Sequence, residues 1–322
     1  MKHIRLESPC EIARPVVTVG SFDGLHFGHR AVVDRVKEIA DVRGGTSVVV
    51  TFDPHPRHVI APGSAPKLLT SLEEKSSALE RMGVGCLAVI PFTDQVRQLD
   101  PQAFVDRYLV AFLQAETIVM GYDHGFGKDR SGNLATVQQL AEDRGFEVVS
   151  LPPTLLDGEP VSSTRVRHHI ELGEMEVAGR LLGAGYPVKG EVESGDGRGK
   201  TIGFPTANLV VSADKLLPPN GVYAGWANTP GEPPNPAVIN LGTRPTFDGK
   251  VRRFEAHLLD YDKDLYGKQL SISLEIKLRD ERKFDGVDSL TTQIRKDIAE
   301  ARRRLDGVGI PFDARNRTTD GG

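Results

Sequence analysis

The chain has 322 residues, 39% of them hydrophobic, and a formal net charge of −4, which is apolar material enough for two ordinary cores. Divided after residue 184, its first part carries 19 Lys and Arg against 24 Asp and Glu and its second 21 against 20, so neither half has the basic excess of a nucleic-acid surface. No apolar run is long enough to span a bilayer, the N-terminus lacks a signal-peptide core, and Cys10 and Cys86 stand far apart outside any CxxC pattern, which excludes a cysteine framework and points to the cytoplasm.

In chain order, Val16–Val19 is predicted as a strand, with a helix from about His29 whose Val32, Val33, Val36, Ile39 and Ala40 share one face until Gly44-Gly45 ends it. Ser47–Phe52 reads as a buried strand of the parallel type. Helix 72–82, strand 86–91, helix 101–114, strand 117–120, helix 133–144 and strand 147–151 follow. Such alternation predicts an α/β fold with a doubly wound parallel sheet, whose ligands bind at the carboxyl ends of its strands. One further helix is expected from Ser162-Ser163-Thr164 to Leu182, closed by Gly183-Ala184-Gly185.

Beyond residue 184 the texture changes. Pro and Gly become frequent and the apolar runs shorten to Val188–Val192, Ala207–Val211, Val222–Ala227, Ala237–Leu241, Phe254–Leu259 and Leu270–Leu278, the pattern of a closed antiparallel sheet. Residues 287–305 read as helix. The expected domains are therefore 1–184, 185–306 and a frayed tail at 307–322.

The stretch SFDGLHFGHR, residues 21–30, sits at the end of the first strand of the alternating half. His26 and His29 could be half-buried structural residues, as short motifs often match by chance. They could join His55 and His58 as metal ligands, although Pro54 and Pro56 forbid a helix across the second pair and no carboxylate stands at a familiar ligand spacing. The third reading is phosphate chemistry. Gly24 and Gly28 let backbone approach a ligand, a helix start offers N–H groups and a positive dipole end, and two imidazoles can donate where charge builds as one phosphate attacks another.

GSFDGLHFGHR resembles the HxGH signature of the nucleotidyltransferases. With TFDPHP (51–56), GYDHGFGKDRSG (121–132) and VSSTRVR (161–167), it is similar to the adenylyltransferase half of the bacterial bifunctional riboflavin kinase/FAD synthetase family. The resemblance implies catalytic roles for His26 and His29, and ATP contacts at Gly20, Phe22, Asp23, Gly24, Gly28, Asp123, Ser163, Thr164 and Arg167. His124 departs from the aromatic usual in that family.

In the second half, Glu193–Asn208 reads ESGDGRGKTIGFPTAN. Gly195, Gly197, Gly199, Gly203 and Pro205 make a flexible-then-rigid loop, and Thr206 and Asn208, at i and i+2 on one strand face, could reach a Mg²⁺ ion bound to a nucleotide or could be plain strand-edge polars. GFPTANL, GVYAG (221–225), NLGTRPTF (240–247) and FEAHLLD (254–260) occur in the order found in riboflavin kinase, a six-stranded antiparallel barrel. That resemblance, with the first covering residues 14–305, implies ATP contacts from the glycine loop through Thr206, a metal role for Thr206 and Asn208, flavin contacts at Asn240 and Arg279, and Glu255 as the base for the ribityl hydroxyl. The expected activity is phosphorylation of riboflavin to FMN and adenylylation of FMN to FAD, with Mg²⁺ and ATP as co-substrate. The expected partners are small molecules, with neither nucleic acid nor membrane and with self-association open. Rival readings are a nucleotidyltransferase for another acceptor, such as pantetheine phosphate, and a flavin-storage module.

Overall fold

A computed structural model describes residues 1–122, 125–127, 132–195, 197–229, 231–246 and 249–308. These fall into two compact units, Met1–Ser163 and Thr164–Gly322, each treated on its own.

The first unit contains β1 (Lys2–Arg5), β2 (Pro15–Val19), α1 (Phe27–Arg43), β3 (Thr46–Asp53), α2 (Pro56–Ile60), α3 (Leu72–Arg81), β4 (Cys86–Pro91), α4 (Asp94–Arg97), α5 (Pro101–Phe104), β5 (Thr117–Gly121), α6 (Leu134–Arg144), β6 (Glu147–Leu151) and a short hairpin of β7 (Leu155–Leu156) and β8 (Glu159–Pro160). The six-stranded sheet has the order β1-β4-β3-β2-β5-β6, and every pair in it is parallel. All five residues of β2 are buried, as a central strand covered on both faces requires. On one face Val32, Val36 and Ile39 of α1 pack with Val16 and Val119. On the other, Phe104, Tyr108, Leu109 and Leu140 pack with Val17, Val48 and Ile118.

Chain progression runs from β2 outward through β3 to β4, then returns to the other side of β2 for β5 and β6. The strand order thus reverses between β2 and β5, and a crevice for ligands opens beyond their carboxyl ends. Two elements depart from expectation. The strand β1 has no apolar run, yet completes the sheet edge beside β4. The helix expected over 101–114 keeps α-geometry only through α5 and widens to a π-helix at Val105–Phe112.

The second unit opens with α7 (Ser163–Leu172) and α8 (Met175–Leu182), followed by β9 (Tyr186–Glu193), α9 (Arg198–Thr201), β10 (Ala207–Val210), β11 (Gly221–Asn228), β12 (Asn235–Thr246), β13 (Gly249–Leu258), β14 (Gln269–Asp280) and α10 (Val287–Val308). The single helix expected over 162–182 is broken in two, because Gly173 takes a φ of +78° and its N–H closes the turn on Ile170 O at 3.0 Å. The α8 helix packs on β9 and β14, which draws it into the second compact unit although the change of sequence texture comes after residue 184.

Strands β9–β14 close into a barrel of order β10-β13-β12-β11-β14-β9, antiparallel throughout. Alternate residues such as Phe254, Ala256 and Leu258 fill its interior. Outside it, Val222, Ala224, Trp226, Val238 and Ile276 are covered by Ala301 and Leu305 of α10. That helix runs on to Val308, so residues 307 and 308 of the expected tail are helical, and the rest of the tail lies outside the described residues.

Candidate functional site

Two sites emerge, one in each unit. The first lies where β2 ends. Phe22, Gly24 and Leu25 have φ of +47°, +89° and +45°, so this turn is wound tightly, and the non-glycine residues carry strain that their surroundings must hold. The holding groups are specific. The buried Asp23 carboxylate accepts through Oδ1 from Leu69 N at 2.9 Å, Thr70 N at 3.0 Å and Thr70 Oγ1 at 3.4 Å. The N–H of Gly24 donates to Thr70 Oγ1 at 3.0 Å, and the hydroxyl of Ser163 donates to Asp23 O at 2.9 Å.

The wound turn delivers His26 as the N-cap of α1, which begins two residues before its predicted start. His26 Nδ1 accepts from His29 N at 3.3 Å. In the neutral ring this places the proton on Nε2, which is then the donor atom of the ring. The rings of His26 and His29 stack with centroids 3.7 Å apart, and Phe22 sets its edge against His29 at 5.2 Å. Gly28 permits this arrangement, since a Cβ there would come within 3.3 Å of the His26 ring. Gly20 lies under Phe22, whose ring would stand 3.1 Å from its Cβ. Strand end, paired imidazoles and the first turn of a helix therefore form one anion-facing surface.

Of the remaining expected residues, Thr164 and Arg167 follow Ser163 on α7, within the second unit. Asp123 and His124 lie outside the described residues. His55 caps the short α2 and His58 lies within it, with ring centroids 5.9 Å apart. Among the described residues no three His, Cys, Asp or Glu side chains gather as a metal cluster.

The second site is on the outer face of the barrel. Register aligns Asn208 of β10 with Glu255 of β13, and Glu255 with Asn240 of β12. These side chains form a cross-strand row, alternating with the buried Ala207, Ala256 and Ile239 that face the core. Asn240 Nδ2 donates to Glu255 Oε2 at 3.5 Å, and Arg253 stands 3.8 Å from the other carboxylate oxygen. Over the row folds the glycine-rich segment, in which the one-turn α9 replaces part of the expected loop. Gly197 and Gly203 flank it with φ of +67° and +86°. A Cβ on Gly195 would strike the Asn208 amide at 2.1 Å, and one on Gly199 would come within 3.3 Å of Thr206 Oγ1. The backbone thus cradles the two side chains.

Arg279 is not brought to this row. Three strand steps around the barrel wall separate it from Glu255. Its guanidinium grips the buried Asp297 of α10, with Nε 3.1 Å from both carboxylate oxygens and Nη2 2.8 Å from one.

Two residues near the sites went unread in the sequence. The ring of His257, on β13 two residues from Glu255, hydrogen-bonds Pro205 O through Nδ1 at 2.7 Å and so fixes the start of the PTAN segment. Lys75, one turn before the buried Leu79 on α3, is itself buried and donates to Thr51 Oγ1 at 3.1 Å. Its place in the apolar stripe of that helix was the available signal.

Comparison with known proteins divides the chain in the same order. The family model for FAD synthetase matches residues 9–165 and that for riboflavin kinase matches residues 182–305. The bifunctional riboflavin kinase/FMN adenylyltransferase of Listeria monocytogenes is 40% identical over 289 residues, covering 89% of this chain and 91% of its own. The Bacillus subtilis protein of that name is 38% identical, covering 94% and 98%. A crystal structure from Streptococcus pneumoniae, of a protein named a macrolide-efflux protein, superposes with a TM-score of 0.82 at 33% identity, covering 94% of this chain and 99% of its own. Among the described residues of this chain, no helix is long and apolar enough to cross a membrane.

Proposed function

The chain belongs to the bifunctional riboflavin kinase/FMN adenylyltransferase family, and we propose that its two reactions are divided between the two sites. The enzyme phosphorylates riboflavin to FMN and adenylylates FMN to FAD. By function, residues 1–184 form the adenylyltransferase and 185–306 the kinase. What supports this division is that the FAD synthetase model covers the turn with His26 and His29 and the riboflavin kinase model covers the row of Asn208, Glu255 and Asn240.

At the adenylyltransferase site, His26 and His29 donate to the phosphate under attack. Gly20, Phe22, Asp23, Gly24 and Gly28 build the turn that places them, and Asp123, Ser163, Thr164 and Arg167 hold the nucleotide. Transfer of this kind needs positioning and charge stabilisation rather than a protein nucleophile.

At the kinase site, Gly195, Gly197, Gly199, Gly203, Pro205 and Thr206 cradle ATP. Glu255, steadied by Asn240, accepts the proton that the ribityl hydroxyl must lose on attacking phosphorus. Thr206 and Asn208 fit Mg²⁺ by their chemistry: they offer neutral oxygen donors, and the backbone of Gly195 and Gly199 lies close against them. The ion would neutralise phosphate charge. Asn240 and Arg279 remain the proposed flavin contacts, although Arg279, on β14, is held by Asp297 away from the row. The enzyme is proposed to work in the cytoplasm. Incubating the full chain with riboflavin, ATP and Mg²⁺ and separating the flavins by chromatography tests the reading. FMN followed by FAD is expected, and unchanged riboflavin would refute it.

A further inference from the structure

We propose that Lys75 is a positioning residue for adenylyl transfer, whose buried ammonium ties the end of β3 to the wound turn that carries His26 and His29. The proposal rests on the assignment of FMN adenylylation to that turn.

The connection is a short chain of hydrogen bonds. Lys75 Nζ donates to Thr51 Oγ1 at 3.1 Å, and that hydroxyl donates to Ser21 O at 3.3 Å. Ser21 immediately precedes the strained Phe22. Through space, the ammonium faces two carboxylates: Asp23, at the centre of the turn, and Asp53, at the end of β3. Its own helix offers Glu74, whose carboxylate is taken up by Ser71 N at 2.8 Å in a capping box. The loop before α3 contributes the Thr70 hydroxyl, already bonded to Asp23 and Gly24.

A buried ammonium is a costly way to fill space. Burial pushes the Lys75 pKa down to about 8, against the upward pull of Asp23 and Asp53, whereas a methionine of similar volume would carry no such desolvation cost. What the charge supplies is electrostatic balance for Asp23, the carboxylate that holds three donors from residues 69 and 70 and so fixes the turn's shape. Without it, the buried Asp23 carboxylate has less positive charge beside it, the turn loosens, and the paired imidazoles lose their placement against the phosphate. Misplacement on the scale of an ångström is enough to cost about a hundredfold in rate.

The test measures FAD formation from FMN and FMN formation from riboflavin on the same full-length preparations across a pH series, for the wild type, Lys75→Met and Lys75→Arg. In the wild type, FAD formation is expected to fall as pH rises through about 8, with no matching fall in riboflavin phosphorylation. Lys75→Met should lower kcat for FAD formation by about ten- to a hundredfold, leave KM for FMN and ATP much less changed, and abolish the alkaline fall. Lys75→Arg should recover part of the rate and move the fall to higher pH. A Met variant with wild-type kcat, or one that keeps the same alkaline fall, overturns the proposal. Should that variant not fold, a wild-type profile without the fall, or with the same fall in both reactions, overturns it alone. Wild-type protein that makes FMN but no FAD refutes the underlying assignment as well.

Discussion

At the level of single residues, both sites depend on side chains whose roles are set by one or two neighbours. Glu255 receives a hydrogen bond from Asn240 and lies beside Arg253. Replacing it by Gln keeps the shape and the Asn240 contact but removes the proposed base. Riboflavin phosphorylation should then drop by about 10²–10⁴, while FAD formation from supplied FMN continues at the wild-type rate. Separate assays on the two substrates check this. Lys75 carries a second expectation, for stability. Its folded pKa of about 8 lies below the value near 10.4 expected of an unfolded lysine. Between those values the unfolded chain holds a proton that the folded chain does not, so stability rises with pH across that window. The gain is bounded at about 3 kcal/mol. Urea midpoints of the first unit, measured either side of the window, should therefore move upward while FAD synthesis moves downward. A midpoint falling with pH across the window would contradict the burial of the ammonium.

At the level of elements, the helix α10 is held to the barrel by apolar and by charged contacts. Ala301 and Leu305 cover apolar residues of its outer face, and Asp297 closes a charged network with Arg279 and with Gln293 Nε2, which donates at 2.6 Å. Asp297→Ala would strand a partly buried guanidinium, at a cost of about 3–5 kcal/mol. The expected result is a lowered unfolding midpoint for the barrel unit, read by denaturant titration, with the first unit's transition unmoved. An unchanged barrel midpoint would mean that the Asp297 network adds nothing measurable to the docking of the helix.

For the whole molecule, the division of labour predicts complementation. If His29 is the proposed donor where charge builds in adenylyl transfer, His29→Ala should cost about 10²–10³ in rate, and FMN should accumulate from riboflavin. Glu255→Ala blocks the preceding reaction. Mixing the two variants should restore conversion of riboflavin to FAD, because FMN released by one can bind the other. Chromatography of the mixture checks it. Loss of both reactions in either folded variant would place the two activities in one site.

The sequence by itself determined the local elements and the local chemistry. Runs such as Val16–Val19 and Ser47–Phe52 are dominated by valine and belong in a covered parallel sheet. The motif order along the chain identified both halves, since backbone-binding loops need glycine, histidine and proline at fixed short spacings. Tertiary structure decided what depends on distant partners. Lys2–Arg5 has no strand pattern of its own and becomes a strand only because β4 offers a free edge. The helix over 162–182 looks continuous until Gly173 turns left-handed between two packed segments. Asn208, Glu255 and Asn240 become a single row through barrel register, which fixes pairing between strands far apart in the chain. The sequence marks Arg279 as a flavin contact and leaves Lys75 unmarked, whereas Arg279 is bound to Asp297 and Lys75 is buried behind Thr51. Hydrogen-bond register and the burial of a charge are properties of how segments meet, and no local spacing of residues encodes them.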